Sequence, residues 1–152
     1  MRKLLFFVFA LVCCTWQINA QSYGVEVEVV TEHNHPDGDP LAVLNGMTTY
    51  RLYVTTESPT DFISACAGES VNPLRIETTT TFYQDFAGGI SGGTIDPLLY
   101  AFSPTLVYDS WITIGRESID SPGASINLIE GDVSWQNPFE QDGQSIIIED
   151  LV

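Results

Sequence analysis

The stretch YGVEVEVV, residues 23–30, decides the fold class because its side chains alternate in character with a period of two. In a β-strand, alternate side chains point to opposite faces. Glu26 and Glu28 therefore share one face. The other face carries the apolar side chains Tyr23, Val25, Val27 and Val29. This pattern predicts a half-buried strand with its carboxylates in water.

The same period recurs downstream in TTYRLYV (48–54) and YDSWITIG (108–115). These runs predict two further strands and a set of core residues: Tyr50, Leu52, Val54, Ile112 and Ile114. Further extended segments are predicted at 62–67, 73–81, 125–129, 133–135 and 145–152, with Glu130-Gly131-Asp132 as a hairpin turn. Asp96 and Pro97 predict a single helical turn over 98–102. No helix is long enough for a βαβ crossover, so the pattern predicts an all-β fold, an antiparallel β-sandwich or jelly roll.

The segment before Gln21 reads as a secretory signal peptide, residues 1–20. Arg2 and Lys3 precede an apolar run over 4–14, and Ala20 supplies a small residue at the cleavage point. The run is too short to cross a hydrocarbon core of about 30 Å. We therefore expect a secreted or cell-surface protein with no transmembrane segment in its mature form.

The mature chain is strongly acidic. Its formal net charge of −15 becomes −17 when Arg2 and Lys3 leave with the signal, and no lysine remains. Such a surface is repelled by nucleic acid and by anionic lipid, which excludes both as partners. It favours screening by salt or binding of a cation such as calcium.

Residues 21–152 have the length of one domain with its own core. Cys66 is the only cysteine left after cleavage, so no internal disulfide can form, and its apolar neighbours predict a buried thiol. The apolar run 145–152 leaves two interpretations open. It is an edge strand that ends the domain, or the chain is truncated at the C-terminus and is the front of a longer protein.

The segment HNHPDGD, residues 33–39, is the best candidate metal site. Alternate residues of an extended segment point to one side, which would bring together His33, His35, Asp37 and Asp39. Imidazoles are suited to zinc or copper, and carboxylates are suited to calcium. The acidic composition of the chain favours calcium as the possible cofactor. The alternative interpretation is a solvated loop with a Pro-Asp-Gly turn.

Two tryptophans, Trp111 and Trp135, are candidate ligand-binding residues, because aromatic rings stack on the apolar faces of sugars. The alternative is that they pack in the core. The run Gly89-Ile90-Ser91-Gly92-Gly93 matches a nucleophile elbow in form only. No helix is predicted after it, and both histidines precede the serine, so no catalytic residue is assigned.

Three motifs carry a family resemblance: TTYRLYV (48–54), FYQD (82–85) and YDSWITIG (108–115), in this order. Together they make the span from Tyr23 to Gly115 resemble a group of secreted, functionally uncharacterised β-domains of marine bacteria. The resemblance implies secretion and a β fold, and it implies no reaction. In that group the chain continues beyond a segment like 145–152, which favours truncation.

These observations predict a secreted, non-catalytic binding or adhesion module at a cell surface or in an extracellular matrix, with a carbohydrate or a surface protein as ligand. Two alternatives remain open at this stage. One is a secreted hydrolase whose catalytic carboxylates are brought together only by the fold. The other is a purely structural module of a longer surface protein.

Overall fold

The computed structural model describes residues 23–129 and 134–150. Its strands are β1 (Tyr23–Glu32), β2 (Thr48–Thr56), β3 (Glu69–Ile76) and β4 (Ile146–Asp150). They form two sheets of two strands each, β1 with β2 and β3 with β4. The prediction of a β-sandwich or jelly roll is therefore wrong. Between the strands, the described segments form turns, 3₁₀ helices and one short α-helix in place of further sheet.

Proline and aspartate explain most of the 3₁₀ helices, which span Pro40–Leu44, Gly92–Thr94, Pro97–Ala101 and Pro104–Tyr108. Three of the four begin at a proline, whose fixed φ suits a first helical position. Asp39 and Asp96 precede two of them and accept hydrogen bonds from the backbone N–H of Leu41 (2.8 Å) and Leu98 (2.9 Å). The predicted turn capped by Asp96 is confirmed.

The second sheet packs with helix α1 (Gln136–Asp142) to form the main core. β3 and β4 are antiparallel, with Leu74 opposite Ile148 and Ile76 opposite Ile146. The buried members of this core are Trp135, Phe139, Ile146 and Ile148. Full burial of a side chain of this size is worth about 1.5–3 kcal/mol, so this cluster contributes strongly to the stability of the second unit.

A glycine ends α1 and fixes its position. Gly143 adopts a left-handed conformation with φ of 63°, and its N–H donates to the carbonyl of Phe139 at 3.0 Å. The Gly143 carbonyl in turn accepts the N–H of Phe82 at 2.8 Å. The ring of Phe82 then meets the ring of Phe139 edge-on at 5.4 Å. A side chain at position 143 would collide with the Phe82 backbone.

Three predicted strands are absent from the described structure: 108–115, 62–67 and 125–129, the last of which has no regular structure. In YDSWITIG, Tyr108 ends a 3₁₀ helix, and Ile112 makes only an isolated parallel bridge to Ser91. Pro104 starts that helix, and the Asp109 side chain takes backbone N–H groups that a sheet would otherwise use. The segment 62–67 forms no regular structure, and Phe62 and Cys66 are exposed, so the prediction of a buried thiol is also wrong.

The five predicted core residues differ in burial. Ile112 packs against the main core. The other four are exposed: Tyr50, Leu52, Val54 and Ile114. Their period of two correctly predicted strand β2, but periodicity shows only that two faces differ and does not show that anything covers the apolar one.

The chain divides into two compact units. The first comprises Met1–Glu28 and Leu52–Phe62, and the second comprises Val29–Arg51 and Ile63–Val152. The predicted signal peptide (1–20) and the predicted turn at 130–132 lie outside the described residues, and the predicted last strand is confirmed over Ile146–Asp150. Within 23–129 and 134–150, no helix has the length and apolar character needed to cross a membrane.

Candidate functional site

The first unit presents an uncovered apolar surface on a two-stranded ribbon. Gly24 lies against Thr55, and Glu28 is bonded to Tyr53, so the two strands run in opposite directions. These contacts place Gly24, Glu28, Tyr53 and Thr55 on one face of the ribbon. Because successive residues of a strand face opposite ways, the residues next to them in the chain lie on the other face. We call this side the apolar ribbon face: Tyr23, Val25, Val27, Leu52 and Val54.

The apolar ribbon face is open to solvent along its length. Tyr23 is 73% exposed, Val27 62% and Leu52 50%. Single exposed apolar residues are ordinary, but a contiguous apolar patch marks an interaction surface. A two-stranded ribbon is also marginally stable by itself, and a third strand or a packed layer stabilises it. This face is therefore the strongest candidate for a binding surface.

The opposite side of the ribbon carries two glutamates of β1 and, by the same alternation, Arg51 of β2. Glu26 and Glu28 lie there, and the Tyr53 hydroxyl donates to Oε2 of Glu28 at 2.8 Å. Glu57 and Asp61 add two further carboxylates to the described part of the first unit, which contains no lysine or arginine. We call Glu26 and Glu28 the acidic ribbon face. The ribbon thus combines an aliphatic face with a negatively charged one.

In the second unit, His33 is the centre of a buried polar contact. It is 5% exposed, its Nδ1 lies 3.1 Å from Nε2 of His35, and its Nε2 lies 2.8 Å from Oγ1 of Thr49. The Tyr108 ring meets the His33 ring edge-on at 4.5 Å. Burial, followed by the proximity of His35, lowers the pKa of His33. Both of its ring nitrogens are engaged within the protein.

The structure brings two of the four predicted metal ligands together. His33 and His35 are in contact, whereas the Asp39 carboxylate caps the 3₁₀ helix through Leu41 and Asp37 is exposed. Within the described ranges, no group of three or more His, Cys, Asp or Glu side chains is placed to hold a metal ion. The arrangement of this loop is explained by its own hydrogen bonds.

A buried carboxylate that the sequence did not single out organises the second unit. Asp85 is 5% exposed and accepts hydrogen bonds from the Ser103 hydroxyl (2.9 Å), the Thr105 hydroxyl and the backbone N–H of Ala87 (2.9 Å). Burial alone would raise the pKa of Asp85, but these donors outweigh burial and lower it. Asp85 therefore remains an anion that joins its own turn to the segment containing Ser103 and Thr105.

Asp109 is the second buried carboxylate, and it behaves in the opposite way. Its Oδ1 accepts the N–H of Asp85 at 2.8 Å, and its Oδ2 accepts the N–H of Gly89 at 3.2 Å. Burial raises the pKa of Asp109 to about 6, although these backbone donors partly counteract it. A side chain at Gly88 would collide with the Asp109 carboxylate, so this loop requires glycine.

Glu140 on α1 is the third acid of this region. Burial, and then the nearby Asp109, raises the pKa of Glu140. Its Oε2 is buried and, like both amide atoms of Gln84, has no hydrogen-bond partner in the part of the chain that the structure describes. Two carboxyl groups with raised pKa values resemble an acid–base pair. However, backbone donors already occupy both oxygens of Asp109, which favours a structural role.

The two candidate tryptophans differ in position. Trp135 belongs to the main core, is 5% exposed, and donates from Nε1 to the carbonyl of Ile129 at 3.3 Å. Trp111 is half-buried. Sugar stacking needs an open ring face, which Trp135 does not present.

Sequence reasoning missed the Asp85 network because its members, Asp85, Ser103 and Thr105, are far apart in the chain and carry no spacing signature. One signal was present. Asp109 is the one charged residue of the predicted strand 108–115, and a charged residue is almost never buried unless it has partners. Comparison with known proteins adds no family to this picture: no protein-family model, no curated protein and no solved structure matches this chain.

Proposed function

We propose that this chain is a secreted, non-catalytic binding module that attaches to a protein at a cell surface or in an extracellular matrix through the apolar ribbon face. The observation that supports this proposal is the exposure of Tyr23, Val27 and Leu52 on one side of a two-stranded ribbon. Burial of such a face against a partner removes apolar area from water and stabilises the complex by about 25 cal/mol per Å² before association costs.

The composition of the face favours a protein ligand over a carbohydrate. Four of its five residues are aliphatic: Val25, Val27, Leu52 and Val54. Sugars are stacked on aromatic rings, and the aromatic candidate Trp135 is buried. Aliphatic sheet faces instead pack against other protein surfaces.

Secretion is tested by the mass of the exported protein. We expect an N-terminus at Gln21, or its cyclised form, because residues 1–20 have the order of a signal peptide. An exported chain that keeps Met1 would contradict this part of the proposal.

Attachment is tested with a tagged copy expressed in the source organism. We expect the unmodified protein to remain with the cell surface or matrix, and the double variant Val27→Ser, Leu52→Ser to be released into the medium. Ile114→Ser, an exposed apolar residue of the second unit, is the matched control and should be retained. Equal retention of all three proteins would contradict the proposal.

One observation favours the alternative of a carboxylate-dependent hydrolase: the raised pKa values of Asp109 and Glu140. If these groups transfer protons, Glu140→Gln should abolish turnover of a panel of chromogenic glycosides by the unmodified protein. No turnover by the unmodified protein would remove this alternative.

A further inference from the structure

The ribbon has two unlike faces and, in the described part of the chain, no third strand. Its apolar face carries Val25 and Val27, and its acidic face carries Glu26 and Glu28. Among the described residues, no strand pairs with the outer edge of either strand, which leaves backbone N–H and C=O groups there for an added strand. A segment that pairs there places its own alternate side chains on both faces at once.

From this juxtaposition we infer that the ribbon binds an extended segment of a partner protein in which apolar and basic residues alternate, added as a third strand. This inference rests on the proposed function and names the chemistry of its partner. Apolar side chains of the added strand would extend the apolar ribbon face. Its lysines or arginines would lie beside Glu26 and Glu28, where opposite charges stabilise cross-strand pairs.

Charge disfavours β1 of a second copy of this chain as the added strand. In its described part, the first unit carries four carboxylates and no basic residue, and the mature chain carries a formal net charge of −17 once Arg2 and Lys3 are removed. Pairing β1 with another β1 would place glutamates beside glutamates, and like charges opposite each other destabilise a sheet. The acidic edge therefore disfavours self-association and selects a basic strand.

Addition of the partner strand would also stabilise the two-stranded ribbon. A third strand with an apolar face is the usual requirement for a stable small sheet. Main-chain hydrogen bonds along the free edge give affinity that is independent of sequence, and the alternation of side chains gives the selectivity.

The test uses the exported protein and three short synthetic peptides, which alternate lysine with valine, lysine with serine, and glutamate with valine. We expect the lysine–valine peptide to bind at least about tenfold more tightly than either control peptide. Backbone amide NMR signals of residues 23–28 and 52–56 should shift on binding. Equal binding of the lysine–serine peptide would show attraction to bulk charge only and would overturn the inference.

Matched variants test whether peptide binding depends on the charges of Glu26 and Glu28 in particular. Glu26→Gln with Glu28→Gln should weaken binding of the lysine–valine peptide by about tenfold, whereas Asp37→Asn with Asp120→Asn, which removes the same charge elsewhere, should change it by less than about twofold. Equal weakening by both pairs would overturn the inference. If cell-surface attachment needs Leu52 but is insensitive to the two glutamine substitutions, the proposed function stands and the inference about the partner fails.

Discussion

The Asp109 carboxylate accepts the backbone N–H of Asp85 at 2.8 Å, so one buried aspartate fixes the loop that carries the other. Their pKa values move in opposite directions because their surroundings differ. Hydroxyl donors from Ser103 and Thr105 keep Asp85 ionised, whereas burial dominates at Asp109. The two acids thus belong to one network but take up protons in different pH ranges, with Asp109 becoming protonated as the pH falls below about 6.

Asp109 should titrate with a midpoint of about 6, well above its ordinary value of 3.8. Since the folded state holds this proton more tightly than the unfolded state, the contribution of Asp109 to stability should increase as the pH falls from about 6 to about 4. Carbon-13 NMR of the carboxyl group measures the midpoint. A midpoint below about 4.5 would contradict the assignment of burial as the dominant cause.

Loss of the Asp85 carboxylate should destabilise the protein. Asp85→Ala removes the carboxylate that accepts from Ser103, Thr105 and Ala87, and a buried unsatisfied donor costs about 1–3 kcal/mol. Urea unfolding measures this change. The exposed Asp120→Asn is the control and should stay within about 0.5 kcal/mol of the unmodified protein. Equal stability of both variants would show that the Asp85 network contributes nothing.

His33 should make the protein less stable in mild acid. Its pKa lies below the ordinary 6.5 in the folded state, so the unfolded state takes up a proton first as the pH falls below 6.5. Protonation also disrupts the sharing of one hydrogen between His33 and His35. Urea unfolding from pH 7.5 to 5 should show this loss, and His33→Gln should reduce it. A His33→Gln variant with an unchanged pH dependence would contradict the prediction.

Stability should depend on α1 far more than on the ribbon. Phe139→Ala removes a fully packed ring and should cost about 3–5 kcal/mol. Leu52→Ala removes a side chain that is half in water already, so its cost should remain below about 1 kcal/mol. Thermal or urea unfolding compares the two. A larger loss at Leu52 would show that the apolar ribbon face is covered within the protein itself.

Salt should raise the melting temperature, because the formal net charge of −15, which removal of the predicted signal peptide would make −17, repels itself and ions screen that repulsion. Sodium chloride and calcium chloride are compared at matched ionic strength. An additional gain with calcium that disappears in Asp37→Asn, Asp39→Asn would assign a calcium site to the loop. Equal gains would indicate screening alone, and no response to either salt would contradict the electrostatic argument.

The sequence predicted the elements whose signals are local. The alternation from Tyr23 to Val29 predicted β1, TTYRLYV predicted β2, and Asp96 with Pro97 predicted a capped turn. Each depends on side chains within a few residues of one another. Turn chemistry and strand period are therefore readable without knowledge of the fold.

The remainder depends on contacts between distant segments. The alternation in YDSWITIG predicts a strand. In the structure, a 3₁₀ helix that begins at Pro104 extends into this segment, and the Asp109 carboxylate accepts the backbone N–H of Asp85. Helix α1 was not predicted, since seven residues that include Pro138 give little helical periodicity and Gly143 alone marks the end. The exposure of the apolar ribbon face also depends on contacts between distant segments. The pattern identified the apolar side of the ribbon, and only the structure shows it uncovered.

The pairing of β3 with β4 sets the order in which this protein can fold. Arg75 and Glu149, bonded across that sheet at 3.2 Å, are 74 positions apart. The chain must close a long loop before β4 pairs with β3, and such closure slows folding more than it lowers final stability. During that interval Trp135 and Phe139 have no sheet to pack against, so the folding chain is most vulnerable to aggregation at its core.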